Sequence, residues 1–129
     1  MDYYKEIECL LKKLPQMKQA VKNLTARQKS LGEIKPSNAR GRKAYDIALE
    51  IADIERQLAY TQSVINQAEN TLRQLEGEER QVLSAWYIDR LPKEKILETM
   101  HIESLSSLYE LRNKAVTDFT LLYFGVTFR

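Results

Sequence analysis

Residues 44–75, AYDIALEIADIERQLAYTQSVINQAENTLRQL, decide the architecture of this chain. Ala44, Ile47, Ile51, Ile54, Leu58, Thr61, Ile65, Ala68, Leu72 and Leu75 alternate at spacings of three and four for more than four heptads. That repeat is the mark of a coiled-coil seam on one long helix. At ~1.5 Å per residue the stretch from Lys43 to Leu75 predicts a rod of ~50 Å. Upstream, Ile7, Leu10, Leu14, Met17, Val21, Leu24 and Leu31 keep the same rhythm, with one polar interruption at Gln28. Gly32, Pro36 and Gly41 break the pattern, so residues 32–42 are expected to form a loop that folds two helices back antiparallel. Pro15 falls inside the first run and is expected to kink that helix or to begin a second one near Leu14.

A hairpin with a single seam is marginal in a chain of 129 residues. Tyr45, Ala48, Ala52 and Ala59 mark a second face on the long helix, small enough for another helix to approach. A homodimer is therefore expected, as a four-helix arrangement, with Ile47, Ile51, Ile54, Leu58, Ile65 and Leu72 as its coiled-coil seam.

Downstream lie three shorter helical patterns, around 78–91, 92–100 and 104–124. The first begins with Glu78 and Glu79, where the helix dipole favours acids, and puts Val82, Leu83, Trp86 and Tyr87 on one face. Pro92 opens the second at a position where a missing N–H costs nothing, and Ile96, Leu97 and Met100 form its inward side. After the turn His101-Ile102-Glu103, Ser104 caps the third, which is read as burying Leu105, Leu108, Leu111 and Ala115. Ser106, Ser107, Tyr109, Glu110, Arg112, Asn113 and Lys114 are left outside. Gly125 stands where a helix C′ cap would, ahead of an apolar tail that includes Leu121, Leu122, Tyr123, Phe124, Val126 and Phe128. Such a tail docks on its own domain or, if exposed, serves a partner. The expected fold is all-α: a long antiparallel coiled-coil helical hairpin over residues 1–76, then a trihelical helix-turn-helix domain over 77–129.

Short donors and acceptors at a helix start, with basic groups one turn later, suit a helix that enters a DNA major groove amino end first. The order of residue types Ser104, Ser106, Ser107, Leu108, Tyr109, Lys114 and Ala115 resembles the recognition helix of sigma-factor region four. It also resembles the small phage regulators of the ArpU and RinA type, which activate late genes; the likeness covers roughly residues 77–125. It implies double-stranded DNA as a partner, contacted by Ser104, Ser106, Ser107, Tyr109, Arg112, Asn113 and Lys114. Tyr109 could equally staple its helix to a neighbour.

Charge is unevenly spread. Residues 77–129 hold seven Lys/Arg against eight Asp/Glu, a net of −1 and a poor counterion-releasing surface by itself. Between Lys12 and Lys43 ten basic residues face the single acid Glu33. One reading is a solvated helix face. The other is a clamp on the phosphate backbone, for which Lys35, Arg40, Arg42 and Lys43 are the candidates.

Catalysis finds little support. There is one histidine, His101, one cysteine, Cys9, and no glycine-rich phosphate loop or nucleophile elbow, so no enzyme activity, metal or cofactor is expected. Cys9, beside Ile7 and Leu10, is read as a half-buried spectator. No run approaches the ~18 apolar residues of a membrane span, and Met1-Asp2-Tyr3-Tyr4 lacks a signal peptide's basic region, so the expected location is the cytoplasm of a bacterial host cell. Two functions fit. The first is a phage or mobile-element DNA-binding transcription regulator acting as a homodimer; the second is an adaptor that docks RNA polymerase, a sigma factor or another regulator through the same helical domain.

Overall fold

The computed structural model describes residues 2–34 and 42–125, and every regular element in them is helical. In chain order they are α1 (Tyr3–Gly32), α2 (Arg42–Gln74), α3 (Gly77–Leu83) with a π-helical turn over Ser84–Ile88, α4 (Lys93–Met100) and α5 (Leu105–Phe124). The helices fall into two compact units, Gln16–Asn66 on the one hand and Met1–Pro15 with Gln67–Arg129 on the other. Heptad periodicity places a boundary after residue 76; the structure instead cuts both long helices.

The reason lies in the first turns of α1. Ile7, Leu11 and Leu14 are at most 1% exposed. They recur at i, i+4 and i+7, the stripe a straight helix offers to a globular core. Leu10, predicted to be a seam residue, sits at the edge of that stripe and is half-buried, whereas Leu11 is sealed. Pro15 lies within the helix, so α1 is one element and no second helix begins near Leu14. Cys9 is exposed rather than half-buried.

In the unit Gln16–Asn66, α1 and α2 run antiparallel. Arg27 pairs with Glu50, and Gln28 donates from Nε2 to Glu55 Oε1 at 3.5 Å, so the polar break in the heptads has a partner across the seam. Ile54 and Ile65 are buried, while Ile47, Ile51 and Leu58 are half-buried, because two helices alone cover only one side of each seam position. These residues thus pack within one chain. Tyr45, Leu49 and Tyr60 remain 65%, 48% and 73% exposed along another face of α2.

In the unit of residues 1–15 and 67–129, Leu72 of α2 and Leu75 just past its end join Val82, Leu83 and Tyr87 in the core. Pro92 caps α4 from just outside, its carbonyl accepting from Lys95 and Ile96 N–H. His101 takes the left-handed conformation (φ 55°) that ends α4, and Ile102 N–H closes back on Leu97 O at 2.9 Å. Ser104 caps α5 and Gly125 ends it at φ 80°, both as read from the sequence. The buried face of α5 differs from expectation. It is carried by Leu108, Ala115, Val116 and Phe119; Leu105 is 48% exposed and Leu111 half-buried. No helix among the described residues is long and apolar enough to cross a membrane.

Candidate functional site

The start of α5 is the segment for which sequence predicts a reading surface. Ser104 Oγ accepts the Ser107 N–H at 3.1 Å and bonds Ser107 Oγ at 3.0 Å, so both hydroxyls serve the cap. Ser106 is exposed beside them. Tyr109 is 38% exposed, its ring edge against Trp86 at 5.4 Å, so it braces the helix while keeping an outer side. Glu110 and Asn113 are also exposed.

Arg112 departs from its predicted place. The spacing Leu108, Arg112, Ala115, Phe119 is i, i+4, i+7, i+11, so the arginine sits on the stripe that faces the core, and its side chain is only 18% exposed. Its guanidinium donates to Tyr87 Oη at 3.2 Å and Glu8 Oε2 at 3.4 Å, and its Nε donates to Asn113 Oδ1 at 2.9 Å. Tyr87 in turn donates to the same Glu8 oxygen at 2.7 Å, and Tyr4 to Asn113 Oδ1 at 2.8 Å. Burial and the Glu8 hydrogen bond push the Tyr87 phenol well above its ordinary range, so it stays a donor. This network binds α1 to α5. Arg112 is therefore a positioning residue of the surface rather than a free DNA contact.

Lys114 reaches two acids at 3.1 Å each, Glu79 of α3 and Asp118 one turn on. Its ammonium is held above its usual pKa first by the hydrogen bond to Glu79, then by Asp118. Glu79 is 4% exposed, and its Oε2 has no hydrogen-bond partner. Burial, then Asp118, raises its pKa; the pairing with Glu79, helped by Lys114, lowers that of Asp118. Lys114 itself stays 63% exposed and within reach of a polyanion.

A cation–aromatic cluster adjoins Tyr109 that the sequence reading did not single out. Lys93 Nζ lies 5.2 Å from the Trp86 ring and 5.9 Å from that of Tyr109, and the Arg112 guanidinium lies 4.6 Å from Trp86. Helical spacing marks Trp86 as core, yet it is only half-buried. No local spacing signals this cluster, because a left-handed Arg90 and Pro92 separate Trp86 from the start of α4 at Lys93. Of the candidate phosphate contacts, Lys35 and Arg40 lie outside the described residues, Arg42 opens α2, and Lys43 is exposed. In the tail, Leu121, Leu122 and Phe124 are 48%, 47% and 37% exposed, with Phe124 against Tyr3 at 4.8 Å; Val126 and Phe128 lie outside the described residues. Among the described residues no three His, Cys, Asp or Glu side chains are grouped to hold a metal. No protein-family model matches this chain, and neither a curated protein nor a solved structure matches it.

Proposed function

We propose that the protein is a DNA-binding transcription regulator of the phage or mobile-element type, acting as a homodimer in the cytoplasm of a bacterial host cell. One observation carries this reading: α4, a turn over residues 101–104 and a capped α5 present Ser106, Tyr109 and Asn113 exposed on the first turns of the second helix. Short polar and aromatic groups there suit base edges, and Lys93 and Lys114 flank them for phosphates. Asn113 Oδ1 is occupied by Tyr4 and Arg112, which leaves its amide N–H groups to donate. Ser104, Ser107 and Arg112 hold the helix in shape. The exposed Tyr45, Leu49 and Tyr60 supply a face for the second copy.

A specific observation also favours the adaptor reading. Leu105 is 48% exposed at the start of α5, beside Tyr109, in a segment of net charge −1, which suits a protein partner such as RNA polymerase or a sigma factor. Competition binding separates the two. With DNA from the gene's own neighbourhood and random competitor at two salt concentrations, a specific regulator shows a preference of about a hundredfold or more. Ser106→Ala with Asn113→Ala should reduce that preference by about tenfold or more, at unchanged helix content. A preference that survives both substitutions overturns base reading by α5; sequence-blind, salt-sensitive binding together with capture of purified polymerase or sigma factor carries the second reading.

A further inference from the structure

A cavity of about 340 Å³ opens between Lys12 of α1 and the segment Trp86, Tyr87 and Arg90, all within one unit. Two departures from regular backbone shape it. The chain over Ser84–Ile88 is π-helical, closed by Asp89 N–H to Ser84 O at 2.8 Å and Leu91 N–H to Ala85 O at 2.9 Å. Arg90 then takes φ 53°, a left-handed conformation that costs a non-glycine residue about 1 kcal/mol. Its Nη2 donates to the Lys12 carbonyl at 2.9 Å, which fixes the guanidinium at the rim. π turns and strained backbone both concentrate where a chain holds a ligand.

The chemistry of the rim is one-sided. Arg90 uses one of its five N–H donors on Lys12 O, and Lys12 is itself a lining residue of the same space. Among the described residues neither Lys12, Arg90 nor Lys93 has an acid within ion-pairing distance. Of the nearby acids, Glu8 is already bound by Tyr87 and Arg112, and Asp89 is solvent-exposed. The Trp86 indole, with Lys93 and Arg112 over its ring, lines one side of the space.

We propose that this cavity binds a compact phosphate-bearing anion, with Lys12 and Arg90 taking the phosphate oxygens against the Trp86 wall. Its volume is at the lower end of small-molecule sites, which run from about 300 Å³, so it accepts a diphosphate or a mononucleotide and not a duplex. The phosphate can belong to a free nucleotide or to the phosphorylated end of a strand. None of the lining residues lies on α5, but the Trp86 ring also meets Tyr109 and Lys93, so the Lys12 and Arg90 variants are what separate this site from the DNA-reading proposal.

Trp86 is the single tryptophan, and its emission reports this wall together with the Tyr109 and Lys93 groups on the same ring, so loss of the response in the Lys12 and Arg90 variants assigns it to the cavity. The full chain is titrated with pyrophosphate, adenosine diphosphate, a 5′-phosphorylated trinucleotide and, as control, adenosine. Expected is a saturable change with the phosphorylated probes at Kd below ~1 mM, and none with adenosine. Lys12→Glu should weaken it about tenfold or more, because repulsion replaces a charge-assisted bond. That side chain is exposed, and only its carbonyl holds Arg90, so the fold is kept; Arg90→Gln provides a second variant. Tightest binding of adenosine diphosphate assigns a free nucleotide, tightest binding of the trinucleotide a strand end, and equal affinities the phosphate group itself. No saturation with any phosphorylated probe, or a response unchanged in both variants, overturns the proposal. Loss of sequence preference in the α5 variants with this response intact would fell only the DNA-reading proposal.

Discussion

Removing the Arg112 guanidinium takes away the counter-charge of Glu8 and leaves it only the Tyr87 hydroxyl, in a site where Arg112 and Glu8 are 18% and 23% exposed. Arg112→Ala should therefore destabilise the chain by about 2–3 kcal/mol, less than a fully buried pair because water still reaches it. Tyr87→Phe, which removes one hydroxyl from the same network, should cost about 1 kcal/mol. Urea unfolding midpoints at neutral pH check both, and a loss of DNA binding in Arg112→Ala must be read against that destabilisation. Glu79 gives a second test. Its folded pKa lies above the ordinary 4.5, so the folded state binds more protons than the unfolded one, and stability falls as pH rises from 4.5 through the folded value. Asp118, lowered from 3.8, acts in the opposite sense: its contribution is present above 3.8 and is lost as pH falls through the folded value. Glu79→Gln keeps the acceptor for Lys114 and places an amide donor toward Asp118 where Oε2 has no partner. It should raise stability at neutral pH by about 1 kcal/mol and flatten the upper part of the pH profile. A lower unfolding midpoint in that variant would show that the buried charge is stabilising. Arg112 was legible in principle, because Leu108, Arg112, Ala115 and Phe119 recur at helical spacing. A basic residue on an apolar stripe is naturally assigned to solvent until its partners are known, and here those partners come from α1 and the π-helical turn.

At the scale of the element, α1 is one helix that contributes to two units, and Pro15 marks where it passes from one to the other. Periodicity of three and four cannot separate a seam from a core face over two turns, since Ile7, Leu10, Leu11 and Leu14 satisfy both. The burial pattern separates them by experiment. Leu11→Ala should cost about 3 kcal/mol, while Leu10→Ala, at the edge of the stripe, should cost about 1 kcal/mol or less. Equal costs would mean that the first turns of α1 pack as a seam after all. The caps of α4 and α5 were readable because capping is local: Pro92, Ser104 and Gly125 act within a few residues of themselves. The π-helical turn was not readable. It coincides with Trp86 meeting Tyr109 and Tyr87 meeting Arg112 and Glu8, and nothing in the order Ser84-Ala85-Trp86-Tyr87-Ile88 states that.

At the scale of the whole molecule, the seam residues proposed for dimerisation are used inside one chain, so a homodimer must rest on another face. Tyr45, Leu49 and Tyr60 are the exposed apolar groups of α2. Sedimentation of the full chain should show a dimer, and Leu49→Lys with Tyr60→Lys should give a monomer of unchanged helix content. A wild-type chain that sediments as a monomer at every concentration removes the homodimer from the proposed function. What the sequence by itself determined was the all-α class, the two long helices with their break near Gly32, and the ends of the short ones. Those properties depend on hydrophobic period, breakers and caps, which are written in neighbouring residues. Only the tertiary structure decided that residues 1–15 belong with 67–129, that Arg112 turns inward, and that Lys12 and Arg90 share a cavity. Each of these needs groups far apart along the chain to meet, as Tyr4 and Asn113 do across 109 positions, and local pattern carries no record of such meetings.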